Sequence, residues 1–324
     1  MMRILYVVPK GPSSLSMIFA HKEITRIREA GLDTKSFIFA SSLNLSEIWL
    51  QTVWLKKVTR IYQPNVIHAH FGTLTGFVSA IVSKITGVPL IITFRGSDLN
   101  PSPSDGMLRS IFQKILSHLA AFRAKINICV SSQLKNRLWW CRWKTKVIPT
   151  GIDLTFFKPV QKYEARKILG WRKDERIVCF NAGLSPEVKR LDIAEEAVKA
   201  LKEKIDAVRF IVLYGDVSHD KMPIYLSGAD CLLLTSDYEG SPDIIKEAMA
   251  CNLPVVSVDV GDVKERLEGV IPSRIVERDP DAIASAAAEI ITFEQRSNGR
   301  ERVAEISATT VSDKILKIYE SLIP

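Results

Sequence analysis

Two carboxylates, Glu239 and Glu247, bracket the segment Gly240-Ser241-Pro242-Asp243. An ionised carboxylate only accepts hydrogen bonds, so a pair of them suits the neighbouring hydroxyls of a sugar or ribose. A helix starting between them would add free backbone N–H groups and a positive dipole end, which favour an anion such as a phosphate. The residue types therefore match a ligand that carries both diols and phosphates. An isolated pair of this kind is more often one capping and one solvated glutamate, so the surrounding elements decide.

Those elements are well marked. The apolar run Cys231-Leu232-Leu233-Leu234 comes before the pair and Val255-Val256-Ser257-Val258 follows it, which reads as strand, helix, strand. Ser241 is the expected N-cap, Pro242 the first helical residue, and Asp243 a carboxylate in the first turn. Asn252 accepts the left-handed conformation that ends a helix, and Pro254 stops it. A helix N-terminus then sits at the carboxyl end of a buried strand, where open α/β sheets bind their ligands.

Glu239, seven residues, Glu247, then Ala248-Met249-Ala250, Leu253-Pro254-Val255-Val256 and Val260-Gly261-Asp262 resemble the retaining glycosyltransferases of family four, whose fold is GT-B. The resemblance extends over nearly the whole chain. It implies that Glu247 binds the nucleotide ribose and that Glu239 lies near the donor sugar and its phosphate. The family commonly has Gly-Phe-Gly after the first glutamate. Here Gly240, Ser241 and Pro242 take those places, and proline has no N–H to offer a sugar.

Further stretches carry the same resemblance. Val66-Ile67-His68-Ala69-His70 is similar to the family's strand ending in histidine-x-histidine, which gives His70 the role of reaching the donor sugar or reacting centre. His68 suits a hydrogen-bonded structural role. Thr93-Phe94-Arg95-Gly96-Ser97-Asp98 resembles the family's turn with histidine where Arg95 stands. An arginine stays charged and clamps a phosphate or carboxylate through paired hydrogen bonds, so Arg95 and Asp98 are expected at the acceptor. A local Arg95–Asp98 ion pair is the structural alternative. Ser13 and Ser14, after the first strand, stand near the family's glycine pair and offer donors to the phosphate. Lys189 matches the family's diphosphate-binding lysine, Gly183 falls where its arginine would be, and Arg190 is the expected substitute cation.

Composition fits two domains: 324 residues, 47% hydrophobic and 25% charged. No apolar run approaches the roughly 20 residues of a membrane span. The start reads as a first strand ending at Pro9, not as a signal peptide. Cys129, Cys141, Cys179, Cys231 and Cys251 show no Cys-x-x-Cys spacing, which points to buried thiols in a reducing cytoplasm. Charge is uneven: residues 1–157 hold 20 Lys and Arg against 7 Asp and Glu, and the remainder 24 against 29. A basic half suggests an anionic partner, whether nucleic acid, an anionic membrane or a phosphate-bearing acceptor, with a solvated surface of chance bias as the alternative. Trp139, Trp140 and Trp143, at the end of an expected helix and flanked by Lys135, Arg137, Arg142, Lys144 and Lys146, suit a membrane interface. Trp49 and Trp54 with Lys56, Lys57 and Arg60 repeat the theme. Inward-packed tryptophans with basic stems laid over them are the alternative.

Strands are expected near 4–8, 36–40, 66–70, 90–94 and 126–130, with helices between them. The alternation restarts after Thr150-Gly151-Ile152-Asp153 with strands near 176–181, 209–214 and 231–235. The expectation is an α/β GT-B protein with two Rossmann-like domains whose parallel sheets face a central cleft. An acceptor domain covers 1–157 and a donor domain 158–309, with a last helix near 310–324 returning to the first. The resemblance implies metal-independent transfer of a sugar from a UDP- or GDP-linked donor to a glycan or lipid-linked acceptor, with retention and no separate cofactor. Polysaccharide synthesis, at a cytoplasmic location peripheral to the membrane, is the expected setting. A nucleotide-sugar epimerase, a non-catalytic GT-B partner subunit, and a nucleic-acid binder remain as rival readings. The last has only charge in its favour, so no nucleic acid is expected.

Overall fold

The computed structural model describes residues 1–11, 17–40, 44–100, 106–183 and 185–322. The chain forms two compact units, one of residues 1–150 with 309–324 and one of residues 151–308. Residues 151–157, grouped with the first domain in the sequence reading, lie in the second unit.

The first unit holds β1 (Arg3–Pro9), α1 (Ile18–Glu29), β2 (Asp33–Phe39), α2 (Leu45–Tyr62), β3 (Val66–His70) and α3 (Leu74–Thr86). β4 (Leu90–Phe94), α4 (Met107–Arg123), β5 (Ile126–Cys129), α5 (Ser132–Arg137) and β6 (Thr145–Val147) follow. The strands form one parallel sheet in the order β2-β1-β3-β4-β5-β6. β3 and β4 are buried along their whole length, which is why they read as unbroken apolar runs and not as alternating ones. Local signals end the elements as expected. Gly87 takes the left-handed conformation after α3, and the Ser131 side chain caps α5 by accepting from the Leu134 amide.

The second unit contains α6 (Lys162–Leu169), β7 (Arg176–Asn181), α7 (Pro186–Lys189), α8 (Leu191–Lys202), β8 (Val208–Leu213), α9 (Met222–Gly228) and β9 (Cys231–Leu234). Then come α10 (Asp243–Ala250), β10 (Val255–Ser257), α11 (Val263–Leu267), β11 (Arg274–Ile275), α12 (Pro280–Phe293) and α13 (Gly299–Val303). Its sheet is parallel, in the order β11-β10-β9-β7-β8. α8 buries Ile193, Ala194, Ala197, Val198 and Leu201. That three-and-four spacing is one face of a helix, and it packs against α12. α14 (Ala308–Glu320) then closes onto the first unit, where the Tyr319 hydroxyl meets that of Tyr6 at 2.7 Å.

Two local expectations are corrected. Ser241 does not cap α10. Pro242 occupies the N-cap without a side-chain bond, because the Ser241 hydroxyl donates instead to Asp262 at 2.8 Å. The tryptophans at 139, 140 and 143 do not end a helix. α5 stops at Arg137, Leu138 is extended and Cys141 is left-handed. All five cysteines are buried free thiols. Among the described residues no helix is long and apolar enough to cross a membrane.

Gly299 marks the tightest helix contact in the second unit. A Cβ there would lie 2.8 Å from Met249 Cα and 3.0 Å from Met249 O, so α13 is held against the backbone of α10. Gly299→Ala must push the two helices apart and is expected to cost about 1–3 kcal/mol, the usual range for overpacking. A fall in the thermal midpoint measures it; an unchanged midpoint would mean that α10 is free to move.

Candidate functional site

Both sheets change winding direction. In the first unit the chain goes from β1 to β2 and then crosses back to β3; in the second it goes from β7 to β8 and then back to β9. Loops leaving the carboxyl ends of β1 and β3, and of β7 and β9, diverge at these points and leave a crevice. The chemically able residues gather there.

In the second unit the two loops are stitched together. The Thr235 hydroxyl, just after β9, bonds the carbonyls of Lys189 and Arg190 at 2.8 and 2.9 Å. The Asp237 amide donates to Val188 O at 2.9 Å. This places the Lys189 ammonium on Glu239, 2.5 Å from Oε1, which also accepts from the Ser236 hydroxyl at 2.9 Å. Lys189 and Glu239 are both half-buried, so the pair is formed yet open to a ligand. Glu247 lies one turn into α10, also half-buried.

Arg190 is less free than the sequence implied. Its guanidinium makes a bidentate contact with Asp192, at 2.9 and 2.7 Å, and reaches Asp237 at 3.4 Å. Gly183 has φ +53 with open space around it; a side chain there would be strained, which accounts for the missing arginine. Gly240 is packed closely by Gly261, where an added Cβ would meet Gly240 O at 3.0 Å. Ser13 and Ser14 lie outside the described residues.

Sequence reasoning missed two cations here. Arg278 donates to the carbonyls of Thr235 and Ser236 at 3.2 and 2.6 Å and pairs with Asp237, so it fixes the loop that carries Glu239. Lys246 is buried, with its ammonium 3.1 Å from the Ser241 hydroxyl and 2.7 Å from Asp243. Neither has a motif: Arg278 meets a loop more than 40 residues before it, whereas the Lys246 partners lie within five residues of it in the chain.

In the first unit His70 and Arg95 do come together, but in a closed network. Arg95 donates to Glu23 Oε2 at 2.9 Å, to His70 Nδ1 at 3.1 Å and to the Thr150 hydroxyl at 3.0 Å. Its guanidinium also lies 4.5 Å from the Phe19 ring centre. Because Nδ1 of His70 accepts, its proton is on Nε2, which faces Glu23 Oε1 at 3.6 Å. His68 bonds Tyr319 at 2.6 Å and Thr93 at 2.7 Å. Glu23, on α1, was not singled out from sequence. It supplies the carboxylate that the sequence reading assigned to an acceptor. Asp98 is fully buried and accepts from the amides of Gly72, Arg95 and Gly96 at 3.1, 3.2 and 2.9 Å. It shapes the turn and takes the Arg95 backbone amide, where the sequence alternative had an ion pair with the Arg95 side chain. His70 is also fully buried, and its Nδ1 holds Arg95.

Burial dominates the titration of this cluster. It lowers His68 to about 3 and His70 well below the usual range, with the Arg95 charge adding to both. It raises Glu23, partly offset by Arg95, and raises Asp98 against its backbone hydrogen bonds. Glu23, His68 and His70 bring three ligand atoms within 4.8 Å, the one such group among the described residues. The Arg95 cation already meets Glu23, and both His68 nitrogens are engaged, so this donor set fits a guanidinium and not a divalent ion.

The residues of each unit match a known family. Residues 16–156 match the family described as Glycosyltransferase Family 4, and residues 192–292 the one described as Glycosyl transferases group 1. Stretches of both halves are thus similar to glycosyltransferase domains, and the two parallel α/β units are those of the GT-B fold. More particularly, it is 28% identical over 267 residues, 76% of this chain and 66% of the relative, to a protein named as the teichuronic acid biosynthesis glycosyltransferase TuaC of Bacillus subtilis (strain 168). It is 25% identical over 255 residues, 67% of this chain and 64% of the relative, to the UDP-Gal:alpha-D-GlcNAc-diphosphoundecaprenol alpha-1,3-galactosyltransferase of Escherichia coli. The chain thus spans just under two thirds of the length of these curated relatives. HepE of Anabaena, solved in complex with UDP, superposes with a TM-score of 0.78 at 19% identity over 99% of this chain and 100% of that one.

The buried histidines make stability depend on pH. Neutral in the fold, they protonate on unfolding below about pH 6.5, so their contribution is present above that pH and is lost as pH falls toward about 3. Glu23 and Asp98 act in the opposite sense, since their raised values let the fold take up protons first. With two histidines in play, a net loss of about 1–3 kcal/mol is expected between pH 7 and pH 5. Urea unfolding at both pH values measures it; equal stability would mean that Glu23 and Asp98 offset the histidines in full.

Proposed function

We propose that the protein transfers a sugar from a nucleotide-sugar donor, UDP- or GDP-linked, to a hydroxyl of a glycan or lipid-linked acceptor, in polysaccharide synthesis. The observation that carries this reading is the Lys189–Glu239 pair at the winding reversal of the second sheet, beside the start of the helix that bears Glu247. Glu247 accepts from the ribose hydroxyls. Lys189 meets the diphosphate, and the open amides at the start of α10 add partial positive charge. As the bond between the sugar and the diphosphate breaks, negative charge grows on the leaving phosphate, and Lys189 stabilises it more in the transition state than in the ground state. Glu239, released from Lys189 by the incoming phosphate, is then an acceptor for sugar hydroxyls.

The acceptor hydroxyl takes the place of the diphosphate on the same face of the sugar, which retains configuration, and its proton passes to the departing phosphate oxygen. No metal is needed where Lys189 and the α10 amides meet the charge. In the first unit His70 acts as a positioning residue that orients Arg95. Cationic Arg190 and the buried Lys246 keep the loops around the donor in place. The E. coli relative is named for a UDP-Gal donor and a GlcNAc-diphosphoundecaprenol acceptor, and the Bacillus relative for teichuronic acid biosynthesis. The first of these names favours a lipid-linked acceptor here.

Two measurements test this reading. Titration calorimetry with UDP, GDP and ADP is expected to show binding of one of them, weakened about tenfold or more in Glu247→Ala, the loss of a charged hydrogen-bond acceptor. No binding by any of the three would remove the donor site. In a donor screen, Lys189→Ala is expected to lower kcat by about 10²–10³, the usual effect of removing one donor to a developing oxyanion, with KM changing less. A change confined to KM would place Lys189 in binding alone.

A further inference from the structure

α2, α3 and α4 lie side by side on one face of the first sheet, and their outer surface has the wrong polarity for water. On α4 the residues Leu108, Ile111, Phe112, Ile115, Leu119 and Phe122 are all exposed, Leu108 to 83% and Phe122 to 69%. Their spacing of three and four is that of an apolar helix face. Yet the opposite face of the same helix, through Leu116, Ala120 and Ala121, already packs into the core. The helix is thus apolar on both sides. α3 continues the surface with Ile81 and Ile85, and α2 with Trp49 and Trp54. On the far side of α4 stand Trp139, Trp140 and Trp143, the last 87% exposed. Trp139 stacks on His118 of α4 at 3.8 Å and Trp140 donates to the His118 carbonyl at 3.2 Å, so these two are fixed to that helix. Beside α2, Leu50 and Trp54 also line an apolar groove of about 400 Å³ with Phe37 and Ile38.

Charge says what covers this face. Residues 107–152 hold nine Lys and Arg and no Asp or Glu, and α2 and α3 add Lys56, Lys57, Arg60 and Lys84 against Glu47 alone. Two of these cations touch the apolar surface directly. Lys144 holds its ammonium within 6 Å of the Phe122 and Trp143 ring centres while donating to Phe122 O, and Lys57 lies 5.5 Å from the centre of Trp54. Aliphatic groups flanked by tryptophan and lysine match the depth profile of a bilayer interface. A second copy of this chain is disfavoured, because two such faces would bring cations against cations.

We infer that this three-helix face docks the protein on an anionic lipid bilayer, with the α4 stripe inserted among the acyl chains and the basic side chains on the headgroups. The inference deepens the reading above and rests on it only for the reason to be there: a lipid-linked acceptor is presented at that surface. Apolar insertion and electrostatic attraction act together in such contacts. Salt therefore weakens the docking without abolishing it.

The test is co-sedimentation of the full chain with vesicles of phosphatidylcholine alone, or mixed with phosphatidylglycerol, while following tryptophan emission. The wild type is expected to partition onto the anionic vesicles with a blue shift, and less onto the neutral ones. The triple variant Phe112→Ser, Ile115→Ser, Leu119→Ser removes only exposed side chains and is expected to keep its thermal midpoint but to bind about tenfold less or weaker still. No binding by the wild type, or equal binding by the variant, would overturn the inference. So would a lipid-independent dimer, seen by analytical ultracentrifugation and abolished in the variant, in a protein that ignores vesicles. Nucleotide titration on the same preparation separates the two readings. Nucleotide bound without vesicle binding removes only the docking; vesicle binding without nucleotide removes only the transferase.

Discussion

Parallel strands cannot be joined by a tight turn; each needs a helical crossover to the far end of the next strand. When the direction of crossover reverses, two adjacent strands send their loops opposite ways, and nothing in the sheet fills the gap between them. Both units of this protein obey that constraint, at β1/β3 and at β7/β9. The positions of His70, Lys189 and Glu239 follow from it, and Arg95, after the neighbouring β4, reaches His70 from one strand over. His70, Arg95 and Glu239 lie within five residues of a strand end and Lys189 on the short helix after β7, and each is fixed by a hydrogen bond to a residue from another loop or helix.

The two crevices handle charge differently. In the first unit a guanidinium is taken almost fully out of water and matched by one carboxylate, a histidine and a hydroxyl. Such a buried pair is weak evidence for stability but strongly penalises the loss of either partner, which makes the network rigid. In the second unit the pairs are half-open and share partners: Asp237 serves both Arg190 and Arg278. An incoming phosphate can take over from a carboxylate there without leaving a cation stranded. The closed network suits a fixed scaffold, and the open one suits a ligand that arrives and leaves.

What was legible in the sequence is what local physics determines. β3, β4 and β7 begin and end where their apolar runs do, and Asn252 takes the left-handed conformation expected of it. What was illegible depends on partners far along the chain. Ser241 reads as an N-cap until Asp262, 21 residues on, claims its hydroxyl. Arg95 reads as an open clamp until Glu23, 72 residues back, occupies it. The tryptophans after α5 were visible as a basic aromatic cluster, but the apolar stripe on α4 was not. A helix with two apolar faces reads from sequence as a buried one, and only the fold shows that one of them has no neighbour.

The return of α14 to the first unit has a consequence in time. Tyr319 completes a buried hydroxyl chain with Tyr6 and His68, so the unit that leaves the ribosome first is finished only when a helix from beyond the second unit arrives. At roughly 5–20 residues per second, the intervening segment takes about 10–30 s to synthesise. For that interval the emerging sheet holds Tyr6 and His68 without their partner, while the second unit, whose strands and helices are contiguous in the chain, is able to fold as it appears. The order of assembly is then the reverse of the order of synthesis.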